Sequence, residues 1–229
     1  MKKSLVVLSG AGISAESGLG TFRGSGGLWE GYDIMEVASI AGWRRNPEKV
    51  IEFYNFRREA ANKAQPNAGH RSIAELEARF DVKVITQNVD LLHEKAGSSN
   101  VLHLHGRLDQ LRSLVNPNDI SNWVEPLKLG DKCDRGSQLR PNIVWFGEAV
   151  PLIETAAQWV RSADILVVVG TSLQVYPAAS LVYEAPAHCQ KFLVDPQAVD
   201  SQMGSGFILI QKVASLGLPE VVSLITAHS

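Results

Sequence analysis

The run Gly10-Ala11-Gly12-Ile13-Ser14-Ala15 has the G-x-G-x-x-A spacing of a dinucleotide-binding turn and follows the apolar stretch 5–8. Glycines at such a turn let the backbone approach a pyrophosphate, and the helix behind it offers N–H donors. In the hydride-transferring form, a helix and a second strand follow, with an acidic ribose ligand about 20 residues on. Here Gly18, Gly20, Gly24, Gly26 and Gly27 interrupt any long helix, and no strand pattern precedes Asp33. A dehydrogenase is therefore disfavoured. The segment holding Phe22 and Arg23 reads instead as a mobile cover, with Arg23 available to pair with phosphate.

A second group of polar residues sits in "TQNVDLLHEKAGSSNVLHLHG" (86–106). Gln87, Asn88 and Asp90 lie just past a strand-like run at 82–86, and His105 just past another at 101–104. Taken singly, Asn88 or Asp90 could cap a helix and His105 could be a structural histidine. In an open α/β sheet, however, ligands bind beyond the carboxyl ends of the strands. These side chains are therefore expected to converge on the crevice that holds residues 10–14.

The elements that would position them are short apolar runs at 5–8, 82–86, 101–104, 142–146, 165–169, 192–194 and 207–210. Continuous runs such as "ILVVV" suit strands buried on both faces of a parallel sheet. Helical patterns at 46–64, 67–80, 151–163 and 218–228 alternate with them. The alternation predicts an α/β fold, a Rossmann-like doubly wound parallel sheet. Two stretches break it, and they predict a small helical and irregular module. The expected division is a large part of about 1–32, 66–106 and 142–229, and a small module of about 33–65 and 107–141.

The 229 residues suffice for one such unit, and 45% hydrophobic with 20% charged residues is ordinary for a globular chain. A formal net charge of −2 gives no field that would attract nucleic acid or an anionic membrane. The apolar run at 5–8 is too short for a signal peptide, and none approaches membrane-spanning length. Two cysteines, Cys133 and Cys189, make no disulfide framework, which points to the cytoplasm. A monomer is the simplest expectation.

"GAGISAESGLGTFR", "TQNVD", "LHLHG", "VWFGE" (144–148) and "GTSLQVYPAA" (170–179) stand in the order and approximate spacing of the sirtuins. The chain resembles that family of NAD-consuming protein-lysine deacylases over nearly its whole length. The resemblance implies that NAD is cleaved as a co-substrate, releasing nicotinamide and O-acyl-ADP-ribose. It places NAD on Gly10, Ala11, Gly12, Ser14, Phe22, Arg23, Gln87, Asn88, Asp90, Gly170, Thr171 and Ser172, with Ala214 near the adenine. His105 becomes the general base, assisted by Asn88 and Asp90. Its ordinary pKa near ~6.5 suits it to take a ribose-hydroxyl proton at neutral pH. Val144, Phe146 and Gly147 line the channel for the acylated lysine, whose extended backbone can pair like an added strand.

Within "FYNFRR", Tyr54 and Arg57 match the Tyr-x-x-Arg pattern of sirtuins, including bacterial CobB-type members, that remove acidic acyl groups. This implies desuccinylase and demalonylase activity with deacetylation retained. Arg58, about 100° further round the helix, is expected to be solvated. The chain departs from most sirtuins in lacking the four cysteines of a structural zinc site. No zinc is expected, and apolar packing by Leu108, Leu111, Leu114, Val115, Ile120, Trp123, Val124, Leu127 and Leu129 would hold the module instead. Leu91 and Leu193 replace residues usual in the family, and Asp195 could take over a ribose hydroxyl. The competing readings are a protein ADP-ribosyltransferase or NAD hydrolase using the same site, and a non-catalytic NAD-binding sensor.

Overall fold

The computed structural model describes residues 2–21, 28–29, 31–198 and 206–227. Its strands are β1 (Ser4–Ser9), β2 (Leu28–Trp29), β3 (Tyr32–Asp33), β4 (Asp81–Thr86), β5 (Val101–His103), β6 (Gly106–Ser113), β7 (Ile120–Asn122), β8 (Leu139–Ile143), β9 (Ile165–Val169), β10 (Gln190–Val194) and β11 (Phe207–Ile210). The α-helices are α1 (Gly12–Ala15), α2 (Ile34–Val37), α3 (Ile40–Arg45), α4 (Pro47–Lys63), α5 (Ala68–Glu75), α6 (Leu92–Ala96), α7 (Ile153–Arg161) and α8 (Ala214–Thr226).

Six strands form one parallel sheet in the order β11-β10-β9-β1-β4-β5. The period-2 geometry of β1 explains why its apolar run is unbroken. Leu5 and Val7 enter the core beneath α5 and α8, while Val6 and Leu8 enter the core on the opposite face with Ala156 and Val160 of α7. From β1 the chain moves outward through β4 and β5, and it later returns to the other side of β1 as β9, β10 and β11. The winding direction therefore reverses between β1 and β9, the place where a doubly wound sheet opens a crevice.

The smaller module is less irregular than its polar sequence suggests. β6, β7 and β8 make a three-stranded antiparallel sheet in the order β7-β6-β8, packed with α4. The run at 142–146 is thus no strand of the parallel sheet: its first residues end β8, which pairs with β6. The fourth helical pattern also starts earlier than its sequence suggests, at Ala214, with Pro219 inside α8. Proline's preference for a first helical turn marks 218 as a start, but Leu216 and Gly217 already donate to the Val213 carbonyl.

The module's apolar candidates divide sharply. Leu108, Leu111 and Leu127 are buried, whereas Leu114, Ile120 and Leu129 are exposed and Val115 and Val124 are 79% and 84% exposed. β7 is an edge strand whose three residues are all exposed, so among the described residues nothing covers it. The module's core is supplied instead by α2–α4 and the β6–β8 face, joined by Val89 and Leu92 from the larger part.

Arg58 is not solvated. It is 4% exposed and donates through Nε to the Leu108 carbonyl (2.6 Å) and through Nη1 to Asn55 Oδ1 (3.0 Å). Asn55 in turn bonds the backbone of Leu127 in both directions. α4 is packed on several sides, so the 100° offset directs Arg58 into the small sheet rather than into water.

Two buried histidines under the sheet carry a pH consequence. His70 and His93 stack edge-to-face at 5.0 Å, and burial pushes His70 down to about 4 and His93 well below its ordinary value. The unfolded chain binds protons below pH ~6.5 that the folded chain refuses, so stability is full above that value and falls towards pH 4. His70 alone accounts for about 3 kcal/mol over that interval. Thermal midpoints measured from pH 7.5 to 4.5 are expected to drop accordingly, and His70→Gln should flatten the slope.

Candidate active site

The turn after β1 and the turn after β9 interlock at the reversal point. Gly12 N–H donates to the Gly170 carbonyl (2.8 Å) and Gly10 N–H to that of Val169 (3.0 Å). A Cβ on Gly12 would lie 2.7 Å from Gly170 Cα, and one on Gly170, whose φ is +61°, would lie 2.3 Å from Ile13 N. The first reason for glycine here is therefore backbone against backbone, a closer approach than the pyrophosphate argument requires.

Beyond β4 the chain turns through Gln87, Asn88 and Asp90. Asn88 N–H and Ser9 Oγ–H both donate to Thr86 Oγ1 (3.1 and 2.9 Å), and Ser9 Oγ also meets His93 Nε2 at 2.9 Å. Asn88 Nδ2 donates to Ser14 Oγ (3.1 Å), which donates to Asp90 Oδ2 (3.0 Å). Burial pushes the Asp90 carboxyl up, while hydrogen bonds from Leu92 N–H and Ser14 hold it down. Gln87 Nε2 reaches across to Thr171 Oγ1 (3.1 Å). The loops after β1, β4 and β9 are thus joined by side chains.

Two histidines at alternate positions, His103 at the end of β5 and His105 just past it, brace this loop. The Gln87 and Asn88 carbonyls accept from Nδ1 of His105 and His103 respectively, both at 3.0 Å. A carbonyl only accepts, so His105 carries its proton on Nδ1 and Nε2 is the basic nitrogen. Burial lowers the His105 pKa, partly offset by the Gln87 carbonyl. Next to it, Gly106 has φ +84°, and a Cβ there would sit 1.9 Å from the Asn142 carbonyl oxygen. Only glycine lets β6 begin so close to β8 directly after the histidine.

One cavity of about 490 Å³ collects these groups. It is lined by Gly10, Ala11, Gly12, Ser14, Gln87, Asn88, Asp90, His105, Gly170, Thr171, Ser172 and Asp195 on the sheet side. Tyr54, Arg57, Val144, Phe146 and Gly147 line it from the module side. Ala214 does not line it: this residue starts α8 and is buried in the core, its carbonyl 3.0 Å from where a Cβ on Gly69 would lie. Phe22 and Arg23 lie outside the described residues.

Arg57 is 5% exposed, with its guanidinium 4.7 Å from the Trp29 ring centroid. Tyr54 is buried, and its hydroxyl accepts from Trp145 Nε1–H at 3.0 Å. Trp145 was not legible as a site residue; its place between Val144 and Phe146 in "VWFGE" was the available signal. Phe146 N–H and C=O are already engaged by Ala38 and Ile40 (2.9 and 3.3 Å). Strand-like addition of a peptide therefore cannot use the Phe146 N–H.

The thiolates of an all-cysteine zinc site are lacking. Cys189 is buried in the core of the large sheet and Cys133 borders the small module, each a free cysteine. Among the described residues, no group of three or more His, Cys, Asp or Glu could hold a metal ion. A chelator is expected to leave the thermal midpoint of the purified protein unaltered, a measurement that scanning calorimetry makes directly.

The chain matches the sequence pattern of the Sir2 family over residues 10–177. It is 55% identical over 201 residues to an NAD-dependent protein deacylase of Helicobacter pylori, covering 88% of each chain. It is 50% identical over 230 residues to one of Bacteroides thetaiotaomicron, covering 97% of this chain and 98% of that one. Among solved structures it resembles a Sir2 homologue–NAD complex with a TM-score of 0.87 at 40% identity, covering 99% of this chain and 90% of that one. A mutant Sir2 homologue bound to ADP-ribose gives a TM-score of 0.88 at 39% identity, covering 99% and 93%.

Proposed function

The chain belongs to the Sir2 family, and from that premise we propose that it removes acyl groups ending in a carboxylate, succinyl and malonyl, from lysine side chains of other proteins, with deacetylation retained. It is an NAD-dependent protein-lysine deacylase: NAD, acyl-lysine and one water become lysine, nicotinamide and O-acyl-ADP-ribose. NAD occupies the sheet side of the cavity as a co-substrate, on the glycine turns and the Gln87–Asp90 loop. The interlocked Gly10, Gly12 and Gly170, with polar side chains from three loops converging beside them, support that placement.

The chain's own residues then have distinct tasks. Gln87 and Asn88 orient the nicotinamide ribose, and Asp90, tied to Asn88 through Ser14, holds the nicotinamide carboxamide. His105 takes the ribose-hydroxyl proton on Nε2, since Nδ1–H is already committed to Gln87. The walls exclude water that would otherwise hydrolyse the activated ribose. Because burial lowers the His105 pKa, the base is neutral and ready at pH 7. The acidic limb of kcat/KM against pH is therefore expected below pH ~6.5. A limb above that value would assign the proton transfer to another group.

The acyl reading is carried by one observation: Tyr54 and Arg57, a phenol and a guanidinium, line the same cavity as His105. Both donate hydrogen bonds, and the guanidinium adds a charge that an acetyl group cannot use. The test is a mass-spectrometric assay of matched succinyl-lysine and acetyl-lysine peptides with NAD. Faster loss of succinyl supports the reading, and equal or slower loss rejects it. We place the protein in the cytoplasm, in keeping with its two free cysteines; no described helix is long and apolar enough to cross a membrane.

A further inference from the structure

Trp145 is held from three directions. Its backbone N–H donates to Glu148 Oε2 (2.9 Å), and its ring lies 5.4 Å from that of Trp43. On the ring sits Arg140, its guanidinium carbon 3.4 Å from the ring centroid. Arg140 is itself fixed by Glu148, donating to Oε1 and Oε2 (2.6 and 3.0 Å), and by the Ile143 carbonyl (2.8 Å). Arg112 completes the clamp with two 3.1 Å contacts to the same carboxylate. An indole held this firmly points its N–H in one direction, towards Tyr54 Oη at 3.0 Å.

Indole nitrogen is a donor only, so this bond takes up the acceptor side of the tyrosine oxygen. Conjugation keeps a phenol O–H in the plane of its ring, which leaves two positions for the hydrogen. Because the Trp145 N–H donates to the oxygen, the hydroxyl hydrogen takes the position away from the indole. Burial pushes the Tyr54 pKa up, so the oxygen keeps its proton. Tyr54 and Trp145 both line the cavity with Arg57.

We propose that Trp145 is a specificity-determining positioning residue, which fixes the Tyr54 hydroxyl as a hydrogen-bond donor to the terminal carboxylate of the acyl group. The inference rests on the acidic-acyl reading above and adds to it the group that sets the donor's direction. Without that N–H, the hydroxyl is free to turn and to present a lone pair to the carboxylate instead.

The test is a double-mutant cycle on Trp145→Phe and Tyr54→Phe, reading the ratio of kcat/KM for succinyl-lysine to that for acetyl-lysine peptide. Trp145→Phe is expected to lower the ratio about three- to tenfold, the range of one neutral hydrogen bond, chiefly through KM for the succinyl peptide. In the Tyr54→Phe background the same substitution should leave the ratio where it is. A ratio that Trp145→Phe leaves unaltered while Tyr54→Phe lowers it overturns the proposal. So does an equal drop in both backgrounds, because Trp145 would then act without the hydroxyl. If neither Tyr54→Phe nor Arg57→Met moves the ratio, the acidic-acyl reading itself has failed. Should Trp145→Phe not fold, site-specific 3-benzothienylalanine at 145 removes the N–H while keeping the bicyclic shape, with the same expected drop and the same disproof.

Discussion

Replacing His105 by alanine is expected to lower deacylation of both succinyl and acetyl peptides by about 10²–10⁴-fold, the contribution of a positioned general base. The geometry makes that loss specific. His105 is tethered through Nδ1 to the Gln87 carbonyl, so the other ring nitrogen is the only one that can accept a proton. Asp90, a buried carboxyl in the same loop system, already accepts from Leu92 N–H and Ser14 Oγ–H and is poorly placed to substitute. Calorimetric titration with NAD separates the roles. A variant that binds NAD but does not deacylate has lost its base, and one that loses NAD binding as well assigns His105 a binding role.

Arg57→Met is expected to act on selectivity. A charge-assisted hydrogen bond from a buried guanidinium to a carboxylate contributes about 1.5–3 kcal/mol, or roughly 10- to 150-fold in preference. The succinyl-to-acetyl ratio of kcat/KM should fall by that factor, because methionine keeps the unbranched apolar stem and removes the charge. The site makes the upper part of the range attainable: Arg57 is 5% exposed and backed by Trp29, so water screens it little. A ratio that stays within twofold of the wild-type value would move carboxylate recognition elsewhere. Arg58→Met makes an informative contrast. Its expected defect is in thermal stability, since the lost bonds run to Leu108 and Asn55 rather than to the cavity.

Much of this was readable in the chain. The strands of the parallel sheet announce themselves because burial on both faces permits no polar alternation, as in Val6–Val7 and 165–169. The crevice followed from polar residues placed just past those strands, and Gln87, Asn88, Asp90 and His105 do line one cavity. What stayed hidden depends on what packs against a residue rather than on its period. Arg57 and Arg58 are equally polar letters on one helix, yet one faces the cavity and the other anchors the small sheet. Val115 and Val124 look like core and are exposed, in the segments that flank the exposed edge strand β7. Ala214 carried a family role to a position that α8 buries in the core. Trp145 bonds Tyr54 across 91 positions of sequence, a relation that no local pattern encodes.

The module's core joins Tyr54, Trp145 and Ile143 of the cavity wall to Phe53, Val50, Leu108, Leu111 and Leu127 of the module interior. On the proposed reading, selection of the acyl group and cohesion of the module are written in the same side chains, and among the described residues no metal-binding group carries cohesion separately. For an evolving lineage this is a constraint on the paths open to it. A step that reshapes the pocket also spends stability, and neighbouring residues in one cluster do not change independently. New acyl preferences in proteins built this way should arrive as coordinated sets of substitutions, preceded by stabilising ones elsewhere in the chain.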